Sequence, residues 1–440
     1  MRVLFMLALV FALGSYTMRP AFANGRFPLA QQAIVIPESG GKGILLRSTF
    51  GLLVSHDGGK SFSWVCEETF GYSGAWDPPI AYGHDGTLYV GLADGLATTR
   101  DFCAVSRVPE LAGETVKDLS VDAAGTVLVV TTSPGKPSAL FRKRKGKPFE
   151  RVGRGLEGAY LVTVDAAPSR PQRIYVTGQP LGTLKGRYYR SDDGGLTFTE
   201  LEQVRSHDGA FFLVGVDPKD PARLVSRFLH FEGSELQLSE DGGKTSKVVV
   251  SIPSAMYGAA ISPDGSKVFV GSGLPADGVH VSTDRGRTFA RVANVGVQCL
   301  LATETALFQC ANPLELGGPA FGRSDDDGKT FRSLASFADV VGPVVCPSST
   351  CTKPFADLSA TLAPWRDGGA PMPPVDGASK DADAGSPDAS APKVTEAPRR
   401  GCGCAQASDR GSTDWGALPL LVWGFFLLQS RTRARWAGIR

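Results

Sequence analysis

Eight cysteines, five histidines and a scatter of carboxylates are the groups from which this 440-residue chain could build a reactive centre. Glycoside hydrolysis needs two carboxylates about 5–10 Å apart. Glu67, Glu68 and Glu232 are available, but no spacing brings two of them together. The histidines show no His-x-x-x-His pattern for a metal. His56, His84 and His207 each precede Asp-Gly, which is turn chemistry rather than ligand chemistry. Ser324-Asp325-Asp326-Asp327-Gly328 is dense in carboxylates but lacks the ligand pattern of an EF-hand. These residues imply no catalytic group, no metal and no cofactor.

Two stretches suit recognition better. Residues 70–76 hold Tyr72 and Trp76, and residues 228–232 hold His230 and Glu232. Aromatic faces beside a His and a carboxylate can stack on sugars or anchor a peptide. The run Arg142-Lys143-Arg144-Lys145-Gly146-Lys147 could meet a polyanion, but it reads first as a solvated hairpin tip. A formal net charge of +2 gives no field that would predict a nucleic-acid partner.

A repeat must position these residues. Ser-x-Asp-x-Gly-x-Thr/Ser, usually followed by an aromatic, starts at Ser55, Ser191, Ser239, Ser282 and Ser324; the third copy has Ser246 in the aromatic place. Decayed copies fit the gap near residues 99 and 142. The second strand of each unit follows a turn signal, as Lys267-Val268-Phe269-Val270 follows Pro263-Asp264-Gly265. Four short strands every 42–49 residues, seven times, predict an all-β, seven-bladed propeller of four-stranded antiparallel blades. The expected structural residues of the turn are Ser55, Asp57 and Gly59; Ser191, Asp193 and Gly195; Ser239, Asp241 and Gly243; Ser282, Asp284 and Gly286; and Ser324, Asp326 and Gly328.

Over roughly residues 32–345 these five copies resemble the Asp-box, or BNR-repeat, proteins. That group includes sialidases, sortilin-type receptors, some glucan hydrolases and photosystem assembly factors. The resemblance implies the propeller and puts the boxes on the face away from the usual binding surface. Sialidases carry an Arg in a Phe/Tyr-Arg-Ile-Pro motif before the first box. Here Ile34-Val35-Ile36-Pro37 stands at that place, so the carboxylate-binding Arg is missing. The expectation is a non-enzymatic, monomeric module binding a protein or glycan; the alternative is a diverged sialidase-like or polysaccharide hydrolase.

Ring closure is expected from residues 340–345, placed where an eighth inner strand would begin and completing the first blade, followed by a short helix over 353–363. Cys299 and Cys310 flank a turn near Glu304 and should face each other across a hairpin. Cys346 with Cys351 could close a small loop, and Cys66 with Cys103 is a possible third bond.

The ends read as addresses. Residues 1–23, with Arg2, an apolar run and Ala21-Phe22-Ala23, form a secretory signal peptide cut after Ala23. Residues 24–365 are the propeller, and 366–400 a Pro/Ala/Asp-rich disordered linker. Residues 401–440 join Cys402 and Cys404 to an apolar helix and an Arg-rich end. This tail resembles the myxobacterial sorting signal MYXO-CTERM. The resemblance implies membrane retention, then processing near the cysteines by export machinery, and anchoring at the outer cell surface.

Overall fold

The computed structural model describes residues 28–36, 39–73, 76–201, 208–311, 320–348 and 350–366. They form seven blades, each with four antiparallel strands in sequence order from the channel outward. Blade 6 shows the plan, with strands Met256–Ile261, Val268–Ser272, Val279–Ser282 and Ala290–Ala293. Second strands such as Leu88–Leu92 and Val268–Ser272 are buried along their whole length. Each lies between two neighbouring blades, which explains their unbroken apolar runs.

All seven copies of the repeat, decayed ones included, lie in the turn from third to fourth strand. The third strands end at Ser55, Thr99, Lys143, Ser191, Ser239, Ser282 and Ser324. In blade 4 the Ser191 hydroxyl donates to Asp193 (2.7 Å) and accepts from the Gly195 amide (2.8 Å). Asp193 in turn accepts from the Leu196 and Thr197 amides (2.9 and 3.0 Å) and the Thr197 hydroxyl (2.6 Å). These bonds replace the ladder bonds that the bend removes. Gly195 has φ of +89°, and a Cβ there would stand 3.2 Å from both Ile174 and Leu140. Phe198, next in the motif, is buried between blades 3 and 4.

Closure departs from expectation. Ala30–Val35 is the innermost strand of blade 1, and Ala30 and Ala33 share a core cluster with Cys299, Leu301 and Phe308 of blade 7. Val340–Pro343 is not an inner strand. It adds a fifth, outermost strand to blade 1, parallel to Phe62–Val65, with Val340 opposite Phe62 and Pro343 opposite Trp64. The inner edge is already filled, and the chain leaves blade 7 from its outer strand Arg332–Ala335, so the free edge it meets is at the rim.

That placement decides the disulfides. Cys299–Cys310 forms across the hairpin as expected, between directly paired residues. Cys346–Cys351 and Cys66–Cys103 do not form. The bonds are Cys66–Cys351 and Cys103–Cys346, with Cα separations of 5.5 and 5.4 Å. The parallel strand carries Cys346 and Cys351 to the edges of blades 2 and 1, closing loops of 243 and 285 residues. The helix Thr352–Arg366 then packs Phe355, Leu358 and Leu362 on the core of blades 1 and 7. Ala23, Cys402, Cys404, the linker and the apolar tail lie outside the described residues.

Candidate binding site at the channel mouth

The antiparallel order sorts the loops. The repeated turns lie on one face, and the loops entering each innermost strand, with those joining strands two and three, lie on the other. Tyr72 and Trp76 precede blade 2 on this second face, whereas His230 and Glu232 sit on the blade 5 hairpin. Blades 2 and 5 are three apart, so the four candidates do not form one cluster.

Their surroundings differ too. Tyr72 is only 9% exposed, stacks on Phe70 at 6.4 Å, and burial raises its hydroxyl pKa far above the usual value. It fills space. The largely buried His230 ring packs on Phe228 at 5.6 Å, and its Nδ1 accepts from the Glu232 amide at 3.3 Å. The Glu232 side chain is exposed beside Phe231, which is fully exposed. Trp76 is half-buried, with its indole N–H donating to the Gly91 carbonyl at 2.9 Å. That bond fixes the ring and leaves its face for contact.

The face is covered by a lysine. Lys117 Nζ lies 5.9 Å from the Trp76 ring centre and 5.4 Å from that of Tyr160. Lys117 is the second residue of Val116–Val121, innermost in blade 3, and Tyr160 the second of Ala159–Ala167, innermost in blade 4. A bulge produces this arrangement. The register jumps between Val130, opposite Asp118, and Thr131, opposite Val116, leaving Lys117 as the extra residue. The same position is bulged in blade 1 at Gln31 and in blade 6 at Tyr257. A bulge re-aims one side chain out of the alternation between neighbouring blades. Three bulges at one level thus leave Gln31, Lys117 and Tyr257 as the unpaired residues of their innermost strands.

Among the described residues, Lys117 Nζ has neither a hydrogen-bond acceptor nor a carboxylate within ion-pair distance. Burial alone pushes its amine down to about 8. Burial likewise pushes the Tyr160 hydroxyl up to about 12. Attraction to two ring faces offsets only part of the hydration an ammonium loses.

The neighbouring carboxylates are engaged elsewhere. Asp118 accepts from the Val164 amide at 3.0 Å. Glu114 accepts from Thr131 and Ser133 and pairs with Lys136. Asp77 accepts from Gln31, which also bonds Arg47. Each is held by a structural partner. No group of three His, Cys, Asp or Glu among the described residues could hold a metal ion. On the opposite face, Asp325 meets Arg323 and Arg332, Asp326 bonds within its turn, and Asp327 pairs with Lys267. The acidic run is fully employed.

Sequence reading found Trp76 and missed Lys117, Tyr160 and Tyr257. A signal was present: all three are second residues of innermost strands, in phase with the repeat.

No protein-family model matches the chain, and no curated protein is significantly similar to it. Among solved structures it is similar to an ancestral GH74 enzyme, with 12% identity and a TM-score of 0.52 over 70% of this chain and 46% of that one. It is also similar to the GH74 enzyme of Niastella koreensis, with 12% identity and a TM-score of 0.33 over 68% of this chain and 62% of that one. For the WD40 β-propeller domain of Doa1 the identity is 12% and the TM-score 0.48, over 69% and 96%. The chain thus spans about half to three-fifths of the GH74 structures. At such identities the likeness shows the propeller fold alone.

Proposed function

We propose that this chain is a non-enzymatic binding propeller of the Asp-box type, taking a glycan or protein at the channel mouth. The observation that carries this reading is the Lys117 ammonium between Trp76 and Tyr160, with nearby carboxylates committed to structural bonds. A site that holds a cation in aromatic walls without a free acid–base pair is built to recognise rather than to cleave.

The address is part of the proposal. The signal sequence ending at Ala23 would export the chain, and the tail with Cys402 and Cys404 would be processed to leave it on the outer cell surface. Three disulfides fit an oxidising compartment.

The test is a screen of surface-purified protein on glycan and protein arrays, followed by incubation with polysaccharides and an assay for new reducing ends. Binding without cleavage is expected, and it should weaken at least tenfold in Trp76→Ala. New reducing ends would instead establish the hydrolase.

A further inference from the structure

Lys117 is a half-buried ammonium whose partner is missing among the described residues, and that narrows what can complete the site. We propose that the channel mouth recognises a carboxylate-bearing saccharide, the carboxylate accepting from Lys117 Nζ while a sugar ring lies against Trp76 or Tyr160. This rests on the binding reading above and names its ligand class.

Charge sets the first condition on the ligand. A desolvated cation without a counter-ion is costly, and an anion delivered by a ligand removes that cost. One ammonium balances one negative charge. A phosphate dianion would leave an excess charge in the same dry place, whereas a carboxylate leaves none. No fixed carboxylate competes, since Asp118 is bonded to the Val164 amide, and Asp77, on the Trp76 loop, is held by Gln31.

The shape of the aromatic walls favours a sugar. The indole N–H of Trp76 is spent on Gly91, so what the residue presents beside Lys117 is apolar ring. A pyranose presents such a face with polar groups round its edge, and a ring of that kind is what two aromatic walls around a cation accommodate.

Protonation links ligand and lysine. Among groups facing Lys117, Tyr160 stays neutral until about pH 12 and Trp76 does not titrate. The free amine loses its proton near pH 8. A bound carboxylate would return it toward the ordinary lysine range, so affinity should be level below pH 8 and fall about tenfold per unit above it.

The experiment is titration of the full-length protein with galacturonate, glucuronate and mannuronate trisaccharides, their methyl esters and acetate, read by calorimetry at pH 6.5–9.5. At least one acid should bind tenfold or more tightly than its ester at pH 7, and lose that advantage by pH 9.5. Lys117→Met should abolish the preference. Lys117→Arg should keep it without the break near pH 8, and both variants should retain the wild-type near-ultraviolet spectrum. Equal binding of acid and ester, or of acid to wild type and Lys117→Met, overturns the carboxylate assignment and leaves the binding module standing. Binding of acetate as tight as that of every acid overturns the saccharide. Silence of all acids and esters overturns the inference, and the array screen then decides the module separately.

Discussion

On one face of the ring, turn after turn brings a carboxylate and hydroxyls together and bonds them to each other; on the other, Lys117 stands between two rings with no acceptor among the described residues. The first arrangement recurs with the same partners, from Ser55 with Asp57 to Ser324 with Asp326. The second occurs once. A polar network repeated in blade after blade answers a problem every blade has, the bend between third and fourth strands. A bulged lysine in one blade answers a problem the fold does not pose. Removing groups from the two faces should therefore act in opposite directions: loss of stability at the turns, loss of ligand and a gain in stability at the mouth.

The largest effect is expected from the turns taken together. Ser191, Ser239, Ser282 and Ser324 are each at most 2% exposed and each accept a backbone amide, from Gly195, Gly243, Gly286 and Gly328. Alanine at all four leaves four buried donors unpaired, at about 1–2 kcal/mol each, and sites in different blades should add. The loss approaches the whole stability of an ordinary domain, so the quadruple variant should be largely unfolded in circular dichroism at 25 °C. A melting point within a few degrees of wild type would show that the turns are not structural and break the contrast at its firmer end.

Next in size is the clasp at the rim. Cys66–Cys351 closes 285 residues, for which the chain-entropy view gives an upper bound of about 6 kcal/mol, and removal of native disulfides typically costs about 2–5 kcal/mol. Cys66→Ala/Cys351→Ala should lower the denaturation midpoint accordingly. Its affinity for the channel-mouth ligand should be unchanged once folded, because the clasp holds the outer edge of blade 1. Weaker binding at saturating folded protein would mean that rim and mouth are coupled.

These regions were unequally legible in the sequence. The blades were readable because each second strand is an apolar run after an Asp/Pro/Gly turn and each box keeps a fixed spacing, so phase alone recovers even the copy at Thr99-Arg100-Asp101. In that copy Asp101 still accepts the Cys103 and Ala104 amides. Cysteine pairing was not readable beyond Cys299 and Cys310. Those two are neighbours along a hairpin, whereas Cys66 and Cys351 meet only because a parallel strand has docked at the rim. Lys117 was hidden for a different reason. Val116-Lys117-Asp118-Leu119 reads as an ordinary strand, and only the bulged register separates a side chain aimed at the channel from one between blades. The shared rank of Lys117, Tyr160 and Tyr257 in their strands was the available clue. Tyr72, by contrast, looked exposed and is core, because Phe70 and Tyr72 fill the space between blades 1 and 2.

The smallest change tests the mouth by itself. The Lys117 amine titrates near 8 in the folded chain against 10.5 for an ordinary lysine. Below pH 8 both states carry the proton, and the folded state bears the cost of a poorly hydrated charge. Between pH 8 and 10.5 the unfolded chain holds the proton that the folded chain has released, so this group makes stability rise with pH across that window. The full difference corresponds to about 3 kcal/mol, and lost packing or solvent at the mouth reduces what a substitution recovers to about 1–2 kcal/mol. Lys117→Met should thus be more stable than wild type at pH 7, with a midpoint a few degrees higher. The gap should narrow as pH rises from 8 toward 10, which distinguishes relief of a charge from better apolar packing, since packing would give a gap independent of pH. A variant less stable than wild type at pH 7 would mean that Lys117 has a partner in the folded chain and is a structural residue like the box serines.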